Sequence, residues 1–456
     1  MKTLKCYLSK KLVPGCLISL LLISTPILTT FAAPHTDENS EYENHNEYSG
    51  VVMDQKTGTA LEFANFIVVG TNISIVSNKE GEFILKVPKE ILNPTLKISY
   101  MGYKDKFIPL ANLKFKNSRI NMESDQRELP PVSVIAEEQN PYELIQSVLQ
   151  TKGDNYMDKK TYMKAFYRES IKNDKAYVSL AEAVVEIAKQ PYWSMSSDIA
   201  KLYKSRKKTN YTELDSVQFK LKGGPNNCLY LDVLKNPDRL FTDDMLSNYT
   251  FEFSGVTYND NKKIYIVNFT PCNSDYNPLY YPNNYSLYHG QLFIDAESQA
   301  LKSAVFSLDL SDKNKAYSML IQKTPRHFNV NPIEANYRID YFEKDGKWYF
   351  GYSRIELAFN VSKKKTHYNN NYYTTLEMAV INWEPYTKNN AIMYKDRIKP
   401  WVSMSNRISG FSDPDFWGDN NIIEPEKSIQ SAIEKIRQEL GTQKLTSDAT
   451  NIQASK

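Results

Sequence analysis

The hydrophobic pattern between Gly50 and Tyr103 predicts a small β-sheet domain. Short apolar runs recur at roughly ten-residue spacing, and Gly, Asn, Asp or Pro bounds each run, as is typical of an all-β sandwich. Phe83, Leu85 and Val87 repeat with period two, which gives one face of a strand a buried set. We therefore predict a sandwich of seven strands, near residues 48–53, 64–69, 74–77, 82–87, 95–100, 105–109 and 117–122.

The chain from 156 to 405 predicts a second, larger β domain. Met163–Ser170 alternates and favours a strand, whereas Tyr177–Ala188 fits both a strand and a helical face, and we predict a strand. Long aromatic and β-branched runs follow, bounded by Asn, Asp, Gly or Lys. They lie at 249–253, 263–269, 290–295, 302–310, 337–341, 348–359 and 372–382. The fold class is mainly β, with one large, curved antiparallel sheet and few helices.

Two turn signals and two helix signals complete the pattern. Gly81 can supply the positive φ of a hairpin, and Asp345-Gly346 is a second hairpin signal. Asn140 can cap a helix that begins at Pro141 and ends near Gly153. Apolar residues three or four apart predict another helix over Pro425–Leu440. That helix either packs on its own domain or docks a partner or a membrane surface.

The residues of the first domain carry a family resemblance. The pattern G-x-V-x-D-x-x-T-G-x-x-L-x-x-A-N-x-x-V-x-G-T begins at Gly50, and S-N-x-x-G-x-F and I-S-Y-x-G-Y follow at Ser77 and Ile98. This resembles the carboxypeptidase regulatory-like domain of envelope proteins from Bacteroidetes-type bacteria. The resemblance implies a transthyretin-like fold with a structural role, because in metallocarboxypeptidases the catalytic zinc sits in a different domain.

The larger domain also resembles known proteins. Phe166-Tyr167-Arg168-Glu169, the Gly290–Asp295 strand, Gly346–Phe350 and Phe416–Ile423 resemble the uncharacterised region that follows this domain in many Bacteroidetes proteins. The Gly290–Asp295 strand and the strand that returns from it also resemble periplasmic lipoprotein-carrier half-barrels. These resemblances imply a class of protein and no particular reaction.

The N-terminus predicts export. A lysine-rich start precedes the apolar stretch Leu17–Leu28, and Thr30-Phe31-Ala32 offers small residues at a cleavage site. The apolar run is short for an uncleaved anchor, since a membrane span needs ~20 residues. Cys16 precedes the apolar core, which argues against a lipoprotein. The predicted organisation is a signal peptide at 1–32, a flexible leader at 33–47, the sandwich at 48–123, a linker strand and helix at 124–155, the large β domain at 156–405, and a C-terminal segment with an amphipathic helix and a disordered tail at 406–456.

Composition narrows the partners. The formal charge of +3 comes from 56 basic and 53 acidic residues, which argues against a nucleic-acid surface. No transmembrane helix is expected after signal cleavage. Cys228 and Cys272 are the cysteines of the mature chain. They either form a disulfide in an oxidising compartment or stay as two separate thiols.

The search for chemistry finds no catalytic, cofactor or metal residues. His35 and Glu38 have the H-x-x-E spacing of a zinc site, but they lie in the polar leader, where no rigid element would hold ligands. The sequence contains no H-E-x-x-H, C-x-x-C, G-x-S-x-G or phosphate-binding Gly loop. Arg168 and Glu169 are neighbours on a strand, so they point to opposite faces and cannot pair.

Two functions of different class follow. The first is an exported, non-enzymatic envelope protein, in the periplasm, at the outer membrane or secreted, that binds a peptide, glycan, lipid or envelope partner and needs no cofactor. The alternative is a hydrolase whose active site lies unrecognised in the large sheet.

A curved sheet has a concave face that must be filled, covered or left open to a ligand. An open face would be an apolar groove for an acyl chain or an apolar peptide, whereas the alternative is a packed core. The groove residues would be Phe293, Phe306, Tyr341, Tyr349 and Phe359.

Overall fold

The structure is a computed structural model, and all the residues that it describes belong to one compact unit. The predicted signal peptide, its cleavage site, His35 and Glu38 lie outside the described residues, as does the predicted tail after residue 440. The described residues are 44–125, 139–209, 224–237, 240–242, 246–259, 261–272, 287–321, 324, 326–399, 410–411, 413 and 415–439.

The first domain is the predicted sandwich. Its two sheets have the strand orders β4-β1-β7 and β3-β2-β5-β6. Phe66, Phe83, Leu85 and Ile98 are buried between them in a hydrophobic core of their own. The strands are β1 (His45–Asp54), β2 (Asn65–Val68), β3 (Ser74–Val76), β4 (Glu82–Pro88), β5 (Thr95–Ser99), β6 (Lys106–Pro109) and β7 (Ser118–Met122).

Of the two predicted hairpin turns, the one at Asp345-Gly346 is present, whereas the turn at Gly81 joins β3 and β4, which lie in different sheets. Gly81 has a φ of +72°, and a Cβ there would lie 2.6 Å from the carbonyl oxygen of Val52, so only glycine fits. Asp345 and Gly346 have φ values of 52° and 73°, which is the pair of positive values that a tight I′ hairpin needs. The Asp345-Gly346 turn places Lys344 opposite Lys347 in the hairpin that it closes.

Within the described part of the chain, ten strands form one antiparallel sheet in the order β10-β9-β8-β17-β16-β15-β14-β13-β12-β11. This confirms the predicted large antiparallel sheet. The strands are β8 (Thr161–Asn173), β9 (Tyr177–Lys189), β10 (Ile199–Thr209), β11 (Tyr249–Asn259), β12 (Lys262–Pro271), β13 (Tyr288–Asp295), β14 (Leu301–Leu308), β15 (Phe328–Lys344), β16 (Lys347–Lys363) and β17 (Asn369–Pro385).

The helices are α1 (Pro141–Asn155), α2 (Pro225–Tyr230), α3 (Lys313–Leu320) and α4 (427–439). The Asn140 side chain caps α1 as predicted, because it accepts a hydrogen bond of 2.9 Å from the backbone N–H of Tyr142. The short helices α2 and α3 were not predicted. No helix among the described residues is long and apolar enough to cross a membrane.

Different parts of the chain cover the two faces of the large sheet. On the helix face, Ile145 and Val148 of α1 pack against Leu292 and Ile294 of β13, and Tyr341 donates a hydrogen bond to Asp232. On the opposite face, which we call the sandwich face, lie the sandwich and the C-terminal segment 410–439. There the Ser74 hydroxyl donates to the carbonyl oxygen of Val380 at 2.8 Å, and the ring of Phe63 stacks on that of Tyr352.

Candidate functional site

A polar cavity of about 240 Å³ lies on the sandwich face of the large sheet. Its floor consists of residues from β8, β16 and β17. Lys79 lines it from the turn between β3 and β4 of the sandwich, and Glu426 and Ile429 line it from the C-terminal segment. The sandwich, the large sheet and the C-terminal segment therefore all contribute to the lining of this cavity.

Five charged side chains cross the sheet beside the cavity in a single row. Neighbours in the row are direct register partners on adjacent strands: Arg206 of β10 opposes Glu182 of β9, which opposes Arg168 of β8, then Glu377 of β17 and Arg354 of β16. Each of the five is at most 5% exposed. We call this row the charge ladder.

Every step of the charge ladder is an ion pair with hydrogen-bond geometry. Arg206 contacts Glu182 at 2.6 Å, and Arg168 contacts Glu182 at 2.8 Å and Glu377 at 3.1 Å. Arg354 contacts the other oxygen of Glu377 at 2.9 Å. Because buried charges are costly unless they are paired and hydrogen-bonded, alternating signs allow this row to be buried.

The ion pairs shift the pKa values of Glu182 and Arg168 toward their charged forms. Burial alone would raise the pKa of Glu182. The positive charges of Arg206 and Arg168 lower that pKa by more than burial raises it, so the net shift is downward. Burial lowers the pKa of Arg168, and the charges of Glu182 and Glu377 more than reverse that change. Glu182 and Arg168 therefore stay charged around neutral pH.

Arg354 ends the charge ladder inside the cavity. Its Nη2 atom lies 3.0 Å from Glu356 and 3.6 Å from Glu426, and the Lys79 ammonium also reaches Glu356, at 3.3 Å. The Nε–H group of Arg354 is buried and has no hydrogen-bond partner within the described chain. A buried donor without an acceptor costs about 1–3 kcal/mol.

The two carboxyl groups beside Arg354 titrate differently. Burial raises the pKa of Glu356, but Arg354 lowers it more, and the net shift is downward. Burial raises the pKa of Glu426, and Arg354 offsets only part of that rise. One carboxylate with a lowered pKa and one with a raised pKa thus share the same guanidinium nitrogen.

The rim of the cavity carries aromatic side chains. Tyr373, which is 36% exposed, lies beneath the ammonium of Lys172, with 5.4 Å from the nitrogen to the ring centroid. Tyr177 bonds Ser428 of the C-terminal segment at 3.0 Å. The cavity therefore opens to solvent beside a partly exposed tyrosine ring.

Phe63 fixes the sandwich against this site. Its φ of 60° is unusual for a residue with a Cβ. The guanidinium groups of Arg338 and Arg354 lie 5.3 Å and 5.2 Å from its ring centroid, and its ring is 5.1 Å from that of Tyr352. Backbone strain of this kind persists only where surrounding contacts hold it, so the docking contacts of Phe63 offset its cost.

The five aromatic residues predicted to line a groove lie on both faces of the sheet. Phe306 and Tyr341 are buried on the helix face, against residues 231–240, and Phe359 shares that face because it lies five residues from Arg354 on β16. Phe293 lies on the sandwich face because it alternates with Leu292. Tyr349 lies there because a register shift after Asp340 places it opposite Phe342. The space left between Phe306 and residues 231–240 is about 10 Å³.

Both cysteines are free thiols in the structure. Cys228 is buried in α2, where burial raises the pKa of its thiol to about 12. Cys272 follows β12, and its sulfur lies 3.9 Å from the carbonyl oxygen of Ser247. The part of the chain that the structure describes contains no group of three or more His, Cys, Asp or Glu residues able to hold a metal ion.

Sequence reasoning did not find the charge ladder. The prediction that Arg168 and Glu169 do not pair agrees with the contacts, since Arg168 pairs with Glu182 and Glu377 while Glu169 accepts a hydrogen bond from Tyr167. One signal was available: Glu182 and Glu377 each lie directly between two apolar residues of their strand. Pairing them with particular arginines requires the strand register, which the sequence does not give.

Comparison with solved structures finds matches of low similarity. A DUF1329 family protein from Desulfovibrio piger ATCC 29098 is 12% identical over 57% of this chain and 94% of its own, with a TM-score of 0.22. A LolA superfamily protein from Nitrosomonas europaea is 10% identical over 53% of this chain and 94% of its own, with a TM-score of 0.23. MucB, solved in complex with MucA(peri), is 10% identical over 54% of this chain and 100% of its own, with a TM-score of 0.17. Scores this low support no argument about function.

At the level of sequence, no curated protein matches the chain. A family match covers the first domain only. Its start, residue 48, coincides with the predicted start of the sandwich, and its end lies beyond the predicted end at residue 123. Residues 48–134 match the family described as CarboxypepD_reg-like domain, which confirms the resemblance predicted from the motifs of this domain.

Proposed function

We propose that this chain is an exported, non-enzymatic binding protein of the cell envelope that holds a small polar ligand in the cavity beside Arg354. The observation that carries the proposal is the polar cavity of about 240 Å³ itself, which is lined by Arg354 together with charged side chains of the sandwich and the C-terminal segment. The lysine-rich start, apolar core and Thr30-Phe31-Ala32 site support export. Cleavage after Ala32 stays a prediction that N-terminal sequencing of the native protein would test.

The site is organised before a ligand arrives. Arg168, Glu377 and Arg354 fix one another through ion pairs of 2.9–3.1 Å, so their side chains lose little conformational freedom on binding. Rigid, preorganised groups improve affinity mainly by removing that cost. Since Lys79 and Glu426 also line the cavity, its shape depends on the docked sandwich and C-terminal segment.

The cavity volume limits the ligand. The cavity has a volume of about 240 Å³. Ligand pockets for drug-sized molecules are about 300–1,000 Å³. A single residue of a glycan or of a peptide therefore fits, whereas a whole lipid does not.

A hydrolase is the second candidate, and one observation favours it. Glu356 and Glu426 both contact Nη2 of Arg354, and their pKa values shift in opposite directions, as an acid and a base do in many active sites. Against this, Glu356 is held by both Arg354 and Lys79, which makes it a poor base. Turnover of chromogenic glycosides or peptides that is lost in Glu426→Gln would favour the enzyme.

A ligand screen with matched variants tests the binding proposal. The mature chain, residues 33–456, is heated with neutral sugars, charged sugars, amino acids and dipeptides, and the shift in unfolding temperature is measured. Tyr373→Ala removes a ring at the cavity rim. Tyr203→Ala is the control, because Tyr203 is also an exposed strand tyrosine beneath a lysine, Lys164, and it does not line the cavity.

We expect at least one compound to stabilise the wild type and the Tyr203→Ala variant, and to stabilise Tyr373→Ala less. A screen in which no compound stabilises the wild type would overturn the proposal. Equal stabilisation of all three proteins would overturn the assignment of the site to this cavity.

A further inference from the structure

We infer that the ligand of the cavity is an uncharged sugar ring; this inference deepens the proposed function and rests on it. The first observation is the charge balance of the lining. The cavity is lined by four basic and four acidic side chains: Lys79, Arg168, Lys172, Arg354, Glu334, Glu356, Glu377 and Glu426. A lining with equal numbers of each sign does not select a ligand with a net charge.

The second observation is that the inner charges already have partners. Arg354 contacts Glu356, Glu377 and Glu426, and Arg168 contacts Glu377. A phosphate or carboxylate group that binds Arg168 or Arg354, or an ammonium group that binds Glu377, would have to replace one of these ion pairs and leave the displaced partner buried without one. Breaking a buried pair in this way is strongly unfavourable, so the charge ladder selects against ionic ligands.

A hydroxyl group meets the opposite condition. It can accept a hydrogen bond from the ammonium of Lys79, which has three N–H donors and contacts Glu356, and at the same time donate to a free lone pair of Glu377 or Glu426, since a carboxylate has about four acceptor sites. No existing ion pair needs to break. A ligand with several hydroxyl groups on a compact frame therefore suits the interior of the cavity.

The rest of the lining suits the frame of such a ligand. Ser170 and Thr375 add hydroxyl groups on the floor, while Leu357 and Ile429 add apolar surface. The partly exposed Tyr373 at the rim offers an aromatic ring beside the opening. Sugars present hydroxyl groups at their edges and C–H groups on their faces. The polar floor of the cavity therefore suits the edge of a sugar ring, and the flat ring of Tyr373 at the rim suits its face.

The test compares probes that share one ring and differ in charge. Saturation-transfer NMR and titration calorimetry are run on the mature chain with N-acetylglucosamine against glucosamine, and with glucose against glucuronate and glucose 6-phosphate. We expect the uncharged member of each set to bind at least tenfold more tightly. We also expect Tyr373→Ala to weaken that binding at least tenfold and Tyr203→Ala to leave it unchanged.

The outcomes separate this inference from the proposed function. Tighter or equal binding of a charged member would overturn the neutral sugar. Binding of an amino acid or dipeptide without any sugar would also overturn it, while the proposed binding function would stand. Failure of every sugar, amino acid and dipeptide to bind would overturn both.

Discussion

At the scale of single residues, the structure depends on buried charges that are paired with opposite charges. Arg168 is 2% exposed, and its three nitrogens contact Glu182, Glu377 and the carbonyl oxygen of Ile423. Replacing a well-paired buried charge destabilises a protein mainly because its former partners stay buried without an opposite charge. The stability of this face should therefore be sensitive to single members of the charge ladder.

Arg168→Ala should lower the free energy of unfolding by about 3–5 kcal/mol, because Glu182 and Glu377 would each lose a cation in a buried position. Urea unfolding of the mature chain measures the change. Lys164→Ala on the same strand is the control, since Lys164 makes a cation–π contact with Tyr203 and lies outside the charge ladder. A loss of less than about 0.5 kcal/mol for Arg168→Ala, the range of ordinary surface substitutions, would contradict this interpretation.

Glu424 predicts a pH dependence of stability. Burial raises the pKa of this carboxyl to about 7, and nearby Arg168 offsets part of the rise. The folded state therefore binds the proton more tightly than the unfolded state, whose pKa is near 4.5. Stability from this group is present at pH 4 and is lost as the pH rises from about 4.5 through about 7.

Glu424→Gln keeps an oxygen that can accept from Gln430 and removes the titration. Unfolding temperatures between pH 4 and 8 should decline less steeply for this variant than for the wild type, and the variant should be the more stable protein at pH 8. Glu434→Gln, an exposed position on α4, serves as the control. Identical pH profiles for the wild type and Glu424→Gln would contradict the buried, protonated state.

At the scale of elements, the sequence predicts strands well where one face is buried or where turn residues bound them. β1 to β7 match the predicted positions closely, because Gly81 and the alternating Phe83, Leu85 and Val87 specify local geometry. β9 was ambiguous because it is buried on both faces, so its apolar residues do not alternate. β10 was missed, since its lysines are typical of an edge strand and lower its β propensity.

The predicted apolar groove can be tested on the helix face, which α1 covers. With about 10 Å³ left beside Phe306, and with Ile145 and Val148 packed on β13, an acyl chain can enter only if α1 leaves the sheet. We expect no saturable binding of a fluorescent fatty acid at micromolar concentration. Saturable binding that is weakened by Phe306→Ala or Tyr341→Phe would show instead that the helix face opens to an apolar ligand.

At the scale of the whole molecule, long-range contacts join the two β domains. The backbone of Lys86 in the sandwich exchanges two hydrogen bonds with the Asn421 side chain, and Arg168 of the large sheet holds the carbonyl oxygen of Ile423. Two residues apart in sequence, Asn421 and Ile423 thus connect both domains. Nothing in the local sequence predicts this, because the partners are separated by hundreds of positions.

The sandwich should nevertheless fold alone, because its core is separate from that of the large sheet. Residues 44–125 expressed in isolation should unfold cooperatively, at a lower temperature than the full chain, since Phe63 and Ser74 lose their contacts with Tyr352 and Val380. A chelator should not change that temperature. A non-cooperative melting curve, or a melting temperature that falls with chelator, would contradict the prediction.

The candidate site shows the limit of sequence reasoning most clearly. Arg168, Glu377 and Arg354 are visible as charged residues within predicted strands, but only the registers of β8, β17 and β16 place them in one row. Lys79 and Glu426 reach the cavity through domain docking. Fold class follows from local patterns, whereas the site follows from contacts that those patterns do not contain.

The most direct test of the central claim fills the cavity without removing a charge. Ala358 is 2% exposed and lines the cavity floor on the same strand face as Arg354 and Glu356. Ala358→Leu adds apolar volume there, so the protein should remain folded with an unchanged or higher unfolding temperature. Titration calorimetry with N-acetylglucosamine should give a binding heat for the wild type and none for Ala358→Leu. Equal binding by the two folded proteins would show that the ligand site lies elsewhere, and absence of binding by the wild type would contradict the neutral-sugar account of this cavity.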